Sequence, residues 1–430
     1  MRAAWEGTPA LSRALLVGAL LVGGAVLFGE PVLVVLAGPL VVVAAFGLVH
    51  RPTSVPVVRG RLDHVSLYEG QGTRSRLDVT EADGVEHVTR VSAQAPYVAL
   101  HPASGRVGGL VRDGVPVLEV SPRRWGRRTL GEERVALTSP WAGYRWGPVL
   151  EHGAEMSVLP ASAPFDNAAD APQPLGLVGS NRSRRTGGGA EFAGIRPFHA
   201  GDRLRRINWR VSLRTGELHV ITSPAEEDSG VLLVVDALAD FGRSGGVGGA
   251  ASSLDVTMRA ASALAEHFVR NGDRVALRVV SGQGGQVGSG AGRRHLRRIL
   301  GQLAVVRPAR LRDDEGGRLR LRTTGGTVVI VLSPLLSEVM GTATATLQRR
   351  GLPVLVVDTL PEHVGALGAE GTDPLVADLA WRLRRTEREQ FLTALAREGC
   401  PVVAWRGPGT LDDVLHRLAR RAQLPQARVR

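Results

Sequence analysis

Two long apolar runs open the chain and set its organisation. Residues 11–28 are apolar except near their start, residues 32–49 are apolar throughout, and Gly29-Glu30-Pro31 separates them. Each run has 18 residues. As a helix, such a run spans about 27 Å, close to the roughly 30 Å hydrocarbon core of a bilayer. The pattern predicts a transmembrane helical hairpin over residues 1–52.

Charges around the hairpin predict its orientation. Arg2 and Arg13 lie at one end, Arg51 and Arg61 follow the second run, and only Glu30 occupies the turn. Because basic residues accumulate on the cytoplasmic side of membrane spans, both termini are expected in the cytoplasm. No small-residue cleavage site precedes the second run, so the pattern favours two permanent spans over a signal peptide. We expect a protein of the inner (cytoplasmic) membrane with two helices.

A different pattern follows over residues 53–159, where apolar and polar residues alternate in short runs. Alternation with a period of two is typical of strands with one buried face, and it predicts an antiparallel β-sandwich-like module. Trp125, Trp141 and Trp146 are expected in its core or at its rim. An Ala/Pro-rich linker is predicted over residues 160–180. The predicted strands cover residues 55–58, 62–68, 76–79, 87–93, 117–120 and 134–138.

The last part of the chain, residues 231–425, alternates between near-continuous apolar runs and amphipathic segments. Runs of β-branched residues are typical of strands buried on both faces of a parallel sheet. The alternation predicts a doubly wound α/β domain with a mainly parallel sheet. Predicted strands cover residues 231–236, 274–280, 327–332, 354–358 and 401–405, and predicted helices cover residues 252–270, 293–303, 336–349, 373–398 and 411–421.

Between the linker and this domain, residues 181–230 form a signature segment that combines Gly with a dense run of Arg. Residues 182–214 hold nine Arg and two acidic residues, Glu191 and Asp202, and apolar side chains interrupt them. Such a segment differs from a plain solvated charge run. For the Arg residues, a solvated face and a surface for acidic partners both stay open.

The signature segment also predicts a short helix. Asp202 is a suitable N-cap, because a short carboxylate accepts from the free N–H groups of the first turn. The predicted helix covers residues 203–213, ends at Thr215-Gly216 and leads into a strand over residues 218–221. Trp209 is predicted to fill a core.

The amino-acid composition excludes several kinds of functional site. The chain of 430 residues has a formal net charge of +12, and it contains Arg but no Lys. Without Lys, neither a Walker A lysine nor a Schiff base is possible. Cys400 is the single cysteine, which excludes an intramolecular disulfide. Because few aromatic residues accompany the Arg clusters, we expect no nucleic acid partner.

No coherent catalytic set is visible in the sequence. Residues 242–246 fit G-x-S-x-G, but they lie in a Gly-rich loop without the strand-turn-helix context of a nucleophile elbow. The His residues lack metalloprotease spacing, and a single Cys provides no paired ligands. We therefore predict that the protein is not an enzyme, has no catalytic residues and uses no cofactor.

The signature segment reads Gly194, Arg196, Gly201-Asp202, Arg205-Arg206-Ile207-Asn208-Trp209 and Arg214-Thr215-Gly216-Glu217. This run resembles bacterial membrane proteins of domain of unknown function 58, whose pattern is close to G-x-R-x-Y-x-x-G-D-x-x-R-x-I-D-W followed by R-T-G. Phe198 stands at the usual Tyr, and Asn208 replaces the usual Asp, which removes a negative charge. The resemblance marks these candidate partner-binding residues: Gly194, Arg196, Gly201, Asp202, Arg203, Arg205, Arg206, Asn208, Trp209, Arg210, Arg214 and Gly216.

The resemblance implies that residues 231–425 are similar to a von Willebrand factor type A domain. Such domains carry an Asp-x-Ser-x-Ser metal-binding pattern after the first strand. Here Asp236 is kept, but Leu238 and Asp240 stand at the two Ser positions. Magnesium needs hard oxygen ligands, and an alkyl side chain supplies none. We therefore expect a degenerate site without metal, whose candidate ligands are Asp236 and Asp240.

The resemblance also implies a partner, because relatives often accompany a MoxR-type AAA+ ATPase. The leading hypothesis is a non-enzymatic, membrane-anchored interaction or adaptor protein whose cytoplasmic part binds protein partners. Three alternatives stay open. They are a metal-dependent ligand binder of the von Willebrand factor A type, an envelope-biogenesis scaffold, and direct phospholipid binding by the Arg clusters.

Overall fold

The computed structural model describes residues 4–81, 83–161, 186–187, 194–199, 207–224, 230–310, 327–365, 373–407 and 409–410. Residues 1–160 and 246–248 form one compact unit, and residues 161–245 and 249–430 form a second. Nearly all of the predicted linker over residues 160–180 lies outside the described residues.

The first unit begins with a short strand and two apolar helices, β1 (Trp5–Gly7), α1 (Pro9–Phe28) and α2 (Val32–Val49). Thr8 caps α1, because its Oγ1 accepts from the N–H of Leu11 at 3.2 Å. Length and composition allow both helices to cross a membrane, although a core helix or a signal sequence fits the same description. Only 22% and 17% of their apolar windows are buried. This exposure favours membrane spans over core helices.

Short strands and two single 3-10 turns, Val111–Asp113 and Pro140–Ala142, follow in the first unit. The strands lie in three sheets together with β1. The strands are β2 (Val57–Leu62), β3 (Ser66–Tyr68), β4 (Thr73–Thr80), β5 (His87–Ser92), β6 (Val98–His101), β7 (Arg106–Leu110), β8 (Leu118–Pro122), β9 (Gly126–Thr129), β10 (Glu133–Thr138), β11 (Tyr144–Glu151) and β12 (Glu155–Leu159).

Antiparallel pairing dominates these sheets, as the alternating pattern predicts. A five-stranded sheet has the order β1-β11-β10-β5-β7, and a four-stranded sheet has the order β2-β4-β8-β6. In the third sheet, β3-β12-β9, the pairing of β3 with β12 is parallel. The prediction misses β1, β6, β7, β9, β11 and β12. In β7 and β11, the residues Gly-Gly and Gly-Pro interrupt the alternation and resemble turns.

A buried arginine of the five-stranded sheet forms an ion pair within that sheet and a hydrogen bond to the four-stranded sheet. Arg90 of β5 is fully buried, and its Nε donates to Glu133 Oε2 of β10 at 2.9 Å. The same guanidinium donates to the carbonyl oxygen of Ser75 on β4 at 2.8 Å. Because β4 belongs to the four-stranded sheet, Arg90 connects the two sheets. The predicted core residues Trp125 and Trp146 are both buried, at 4% and 5% exposure.

The second unit begins with a small antiparallel sheet. In it, β13 (Thr186–Gly187) and β14 (Gly194–Pro197) both pair with β15 (His219–Pro224), and helix α3 (Trp209–Thr215) precedes β15. The helix predicted over residues 203–213 is wrong at its start. Ile207 forms an antiparallel bridge with Val220, and Asn208 is extended at φ −85° and ψ 90°. The helix therefore begins at Trp209, and the predicted N-cap Asp202 lies outside the described residues.

An alternation of strands and helices follows, as the sequence pattern predicts. The prediction misses one strand, Gln286–Gly290, and the helix predicted over residues 411–421 lies outside the described residues. The elements are β16 (Gly230–Asp236), α4 (Ser253–Arg270), β17 (Arg274–Val280), β18 (Gln286–Gly290), α5 (Arg293–Leu303), β19 (Val328–Ser333), α6 (Glu338–Arg349), β20 (Val354–Asp358), α7 (Pro374–Arg397) and β21 (Val402–Ala404).

These strands form one six-stranded sheet with the order β18-β17-β16-β19-β20-β21. All neighbours in it pair parallel except β17 with β18, so the predicted mainly parallel sheet is confirmed. Elsewhere in the described residues antiparallel pairs prevail, which makes the fold mixed α/β. β16 lies at the centre and is buried along its whole length. The carboxyl ends of β16, β19 and β20 therefore meet at one edge.

Candidate functional site

Helix α3 is held rigidly against β15 by a compact set of hydrogen bonds. The Asn208 Oδ1 accepts from the N–H of Val211 at 3.2 Å and caps the helix. The Ser212 hydroxyl donates to the Asn208 carbonyl oxygen at 2.8 Å and accepts from the N–H of His219 at 2.9 Å. Gly216 ends the helix at φ 78°, as the Thr215-Gly216 pattern predicts. The amide of Asn208 therefore performs a cap role that needs no negative charge.

The outer face of α3 combines apolar and basic side chains. Trp209 is 61% exposed and Leu213 is 83% exposed, one helical turn apart. Arg210 and Arg214 are exposed on the same short helix. We call these four residues the α3 face. The prediction that Trp209 fills a core is wrong, because the helix begins at Trp209 itself and turns Ser212 inward instead.

The remaining predicted signature residues are only partly described. Gly194 pairs with Thr222 and Arg196 with Val220 between β14 and β15. The Arg196 guanidinium donates to the carbonyl oxygen of Pro197 at 2.9 Å. Five predicted positions lie outside the described residues: Gly201, Asp202, Arg203, Arg205 and Arg206.

A second polar cluster lies at the carboxyl edge of the six-stranded sheet. Asp236 ends β16, and its Oδ2 accepts from the Ser333 hydroxyl at 2.6 Å. Its Oδ1 accepts from the N–H of Leu238 at 3.0 Å. Burial raises the pKa of the Asp236 carboxyl, and these two hydrogen bonds oppose the shift. Ser333 also accepts from the N–H of Leu335, a residue in the left-handed region at φ 50°.

The other predicted metal ligand, Asp240, binds the start of helix α4. Its Oδ2 accepts from the Ser252 hydroxyl at 3.0 Å, and its Oδ1 accepts from the N–H of Leu254 at 3.0 Å. Ser252 and Asp255 complete a reciprocal capping box at the same helix end. A carboxylate at a helix N-terminus is stabilised by the exposed N–H groups and the helix dipole. Asp240 thus has a structural role.

Asp358, at the end of β20, adds an acid that the sequence reasoning did not single out. It forms an ion pair with Arg388 of α7, and both side chains are mostly buried. The Arg388 Nε also donates to the carbonyl oxygen of Pro334 at 2.6 Å. A signal existed, because Asp358 follows a β-branched run as Asp236 does. The pairing with a distant helix carries no sequence signal.

The carboxylates of this edge are thus engaged within the protein. Among the described residues, no group of three or more His, Cys, Asp or Glu side chains could hold a metal ion. Leu238 supplies its N–H to Asp236 and offers no side-chain oxygen. This donor set does not fit an octahedral magnesium site.

Comparison with known proteins gives one family. Residues 194–387 match the family model described as "Protein of unknown function DUF58". This match supports the resemblance to the DUF58 family that the signature segment indicates. It runs from β14 through most of α7, so it includes α3 and the carboxyl edge of the sheet. A search of curated proteins gives no match.

Proposed function

We propose that this protein is a non-enzymatic, membrane-anchored adaptor that binds a protein partner through the α3 face. The main support is the exposure of Trp209 and Leu213. They lie on a helix that hydrogen bonds of Asn208 and Ser212 hold in place. Exposed aromatic side chains on rigid backbone are typical of interaction hot spots, because they lose little conformational freedom on binding. Arg210 and Arg214 beside them favour a partner with acidic groups.

The partner class follows from the DUF58 resemblance. We propose a MoxR-type AAA+ ATPase, since DUF58 proteins often accompany such enzymes, and a von Willebrand factor A-like role for the α/β unit. The parallel order of the central strands and the position of Asp236 at their carboxyl edge support this likeness. Anchoring by α1 and α2, with both termini in the cytoplasm, would keep the α3 face accessible to a cytoplasmic ATPase.

The test is retention of partners by the full-length protein, solubilised in detergent from its host and read by mass spectrometry with and without ATP. We expect Arg210→Glu/Arg214→Glu to lose an ATP-sensitive AAA+ partner, because the reversed charges repel its acidic groups. Arg293→Glu/Arg297→Glu on α5 is the matched control, with the same charge change and spacing on another exposed helix. Retention by the first variant would contradict the proposal.

One further outcome of this experiment and a separate titration distinguish the alternatives. Recovery of envelope-synthesis proteins without an ATPase would favour an envelope-biogenesis scaffold. A metal-dependent binder would instead require magnesium at Asp236 and Asp240, whose oxygens already accept hydrogen bonds from Ser333 and Ser252. Calorimetric titration with magnesium, with and without the captured partner, should give no binding heat; a saturable heat would support that alternative.

A further inference from the structure

One loop of the β module meets the ends of both apolar helices, and we name residues 139–143 the collar loop. The N–H of Thr8, just before α1, donates to the carbonyl oxygen of Gly143 at 2.9 Å, and its hydroxyl donates to that of Ala142. A Cβ added at Gly143 would lie 3.1 Å from the Cα of Gly47 in α2. The loop backbone therefore packs directly against the base of the hairpin.

Trp141 at the tip of this loop is exposed, unlike the other two tryptophans predicted for the module's core or rim. Its side chain is 53% exposed, and its ring stacks on Phe46 with centroids 5.3 Å apart. Its backbone lies in the left-handed region at φ 58°, and its N–H donates to Glu86 Oε2 at 3.2 Å. This region is unfavourable for a residue with a side chain. The fold thus holds a large ring outward in an unfavourable backbone conformation.

The depth of Trp141 follows from its stacking partner. Phe46 lies three residues before the end of α2 at Val49. At 1.5 Å per residue, this places it about 4.5 Å inside the apolar span. His50 and Arg51 follow, and the Arg51 guanidinium lies 5.9 Å from the centroid of the Tyr144 ring. An apolar span that ends in aromatic and basic side chains has the arrangement of a membrane–water interface.

We propose that the collar loop is a lipid-binding site in which Trp141 inserts at the boundary between acyl chains and headgroups. Phospholipid then covers the exposed face of the indole, and Arg51 lies at the level of the phosphates. The β module is thereby fixed directly on the bilayer surface. This inference rests on the membrane-spanning assignment of α1 and α2, but it is independent of any ATPase partner.

The experiment uses the full-length protein reconstituted in vesicles of phosphatidylcholine and phosphatidylglycerol, with and without shallow bromine atoms in the acyl chains. Bromine quenches nearby tryptophan fluorescence. We expect Trp141→Phe to lower the quenched fraction of the emission by roughly half, because Trp141 is the exposed ring at interface depth. Trp209→Phe, which removes an indole of similar exposure far along the sequence, should not lower this fraction, because it removes emission that bromine does not quench.

Flotation after an alkaline wash separates the two possible failures. Protein that does not float with the vesicles would contradict the membrane-spanning assignment itself. Protein that floats but shows the same quenching in wild type and Trp141→Phe would overturn the lipid-binding site and leave the hairpin intact. Unchanged circular dichroism of Trp141→Phe is the control for folding. A quenched fraction that falls in Trp141→Phe alone supports the proposal.

Discussion

The carboxyl edge of the sheet and the α3 face belong to the same unit but use their side chains in opposite ways. At the edge, Asp236, Asp240 and Asp358 accept hydrogen bonds or form ion pairs inside the protein. On the α3 face, the apolar side chains of Trp209 and Leu213 are exposed to solvent. Acids that resemble a ligand site thus bind groups within the protein, while Trp209, which the sequence pattern places in a core, is exposed.

This difference predicts that substitutions at internal polar groups lower stability, whereas substitutions on the α3 face alter binding. To distinguish the two kinds of substitution, both stability and partner binding must be measured for every variant. Unfolding of the full chain in detergent reports stability, and partner retention reports binding.

The largest effect on stability is expected at the buried ion pair of the β module. Arg90→Met leaves Glu133 buried without its cation and removes the link to Ser75. We expect a loss of about 3–5 kcal/mol in the free energy of unfolding, typical of breaking a buried pair on one side. Urea unfolding followed by tryptophan fluorescence measures it. In the matched variant Arg74→Met, an exposed Arg near Glu119 is removed, and the change should stay within about 0.5 kcal/mol.

A smaller loss is expected at the carboxyl edge. Asp236→Ala leaves the Ser333 hydroxyl and the N–H of Leu238 without their acceptor, at a cost of about 1–3 kcal/mol. Asp236→Asn keeps an acceptor of the same size and should cost less. Both variants should retain the partner as wild type does. Loss of the partner in folded Asp236→Asn would show that this edge takes part in binding.

A pH dependence is expected from Asp273, a buried carboxyl in the turn before β17. Burial raises its pKa from 3.8 to about 7. Between those values the unfolded chain is ionised while the folded chain keeps the proton, so stability falls as pH rises from about 4 to about 7. We expect a loss of about 1–2 kcal/mol after allowing for solvent screening. In Asp273→Asn this contribution should vanish, and an unchanged pH profile would contradict the assignment.

The α/β unit is predictable from sequence where burial alone decides the element. Residues 354–358 are predicted with their observed bounds, because an apolar, largely β-branched run buried on both faces leaves no second interpretation. Residues 274–280 are also predicted with their observed bounds, and there buried positions alternate with more exposed ones. By contrast, the sequence pattern misses the edge strand β18, because Gly288 and Gly290 interrupt the alternation that is typical of a strand. Its existence depends on pairing with β17, which no local pattern encodes.

The candidate site was likewise only partly predictable from the sequence. The pattern of the signature segment identifies the right stretch, but Ile207 pairs with Val220 instead of continuing a helix. That tertiary pairing moves the helix start to Trp209 and turns its ring outward. The partners of Arg90 and Asp236 lie 43 and 97 residues away in the chain, so their roles could not be inferred from spacing.

The most direct test of the account is partner retention by Trp209→Ser/Leu213→Ser compared with Asp236→Asn, in full-length protein from the native host. We predict that the free energy of unfolding of Trp209→Ser/Leu213→Ser stays within about 0.5 kcal/mol of wild type, since both side chains are exposed, and that this variant loses the partner. Asp236→Asn should keep the partner despite its lower stability. Retention of the partner by the stable Trp209→Ser/Leu213→Ser variant would contradict the central claim.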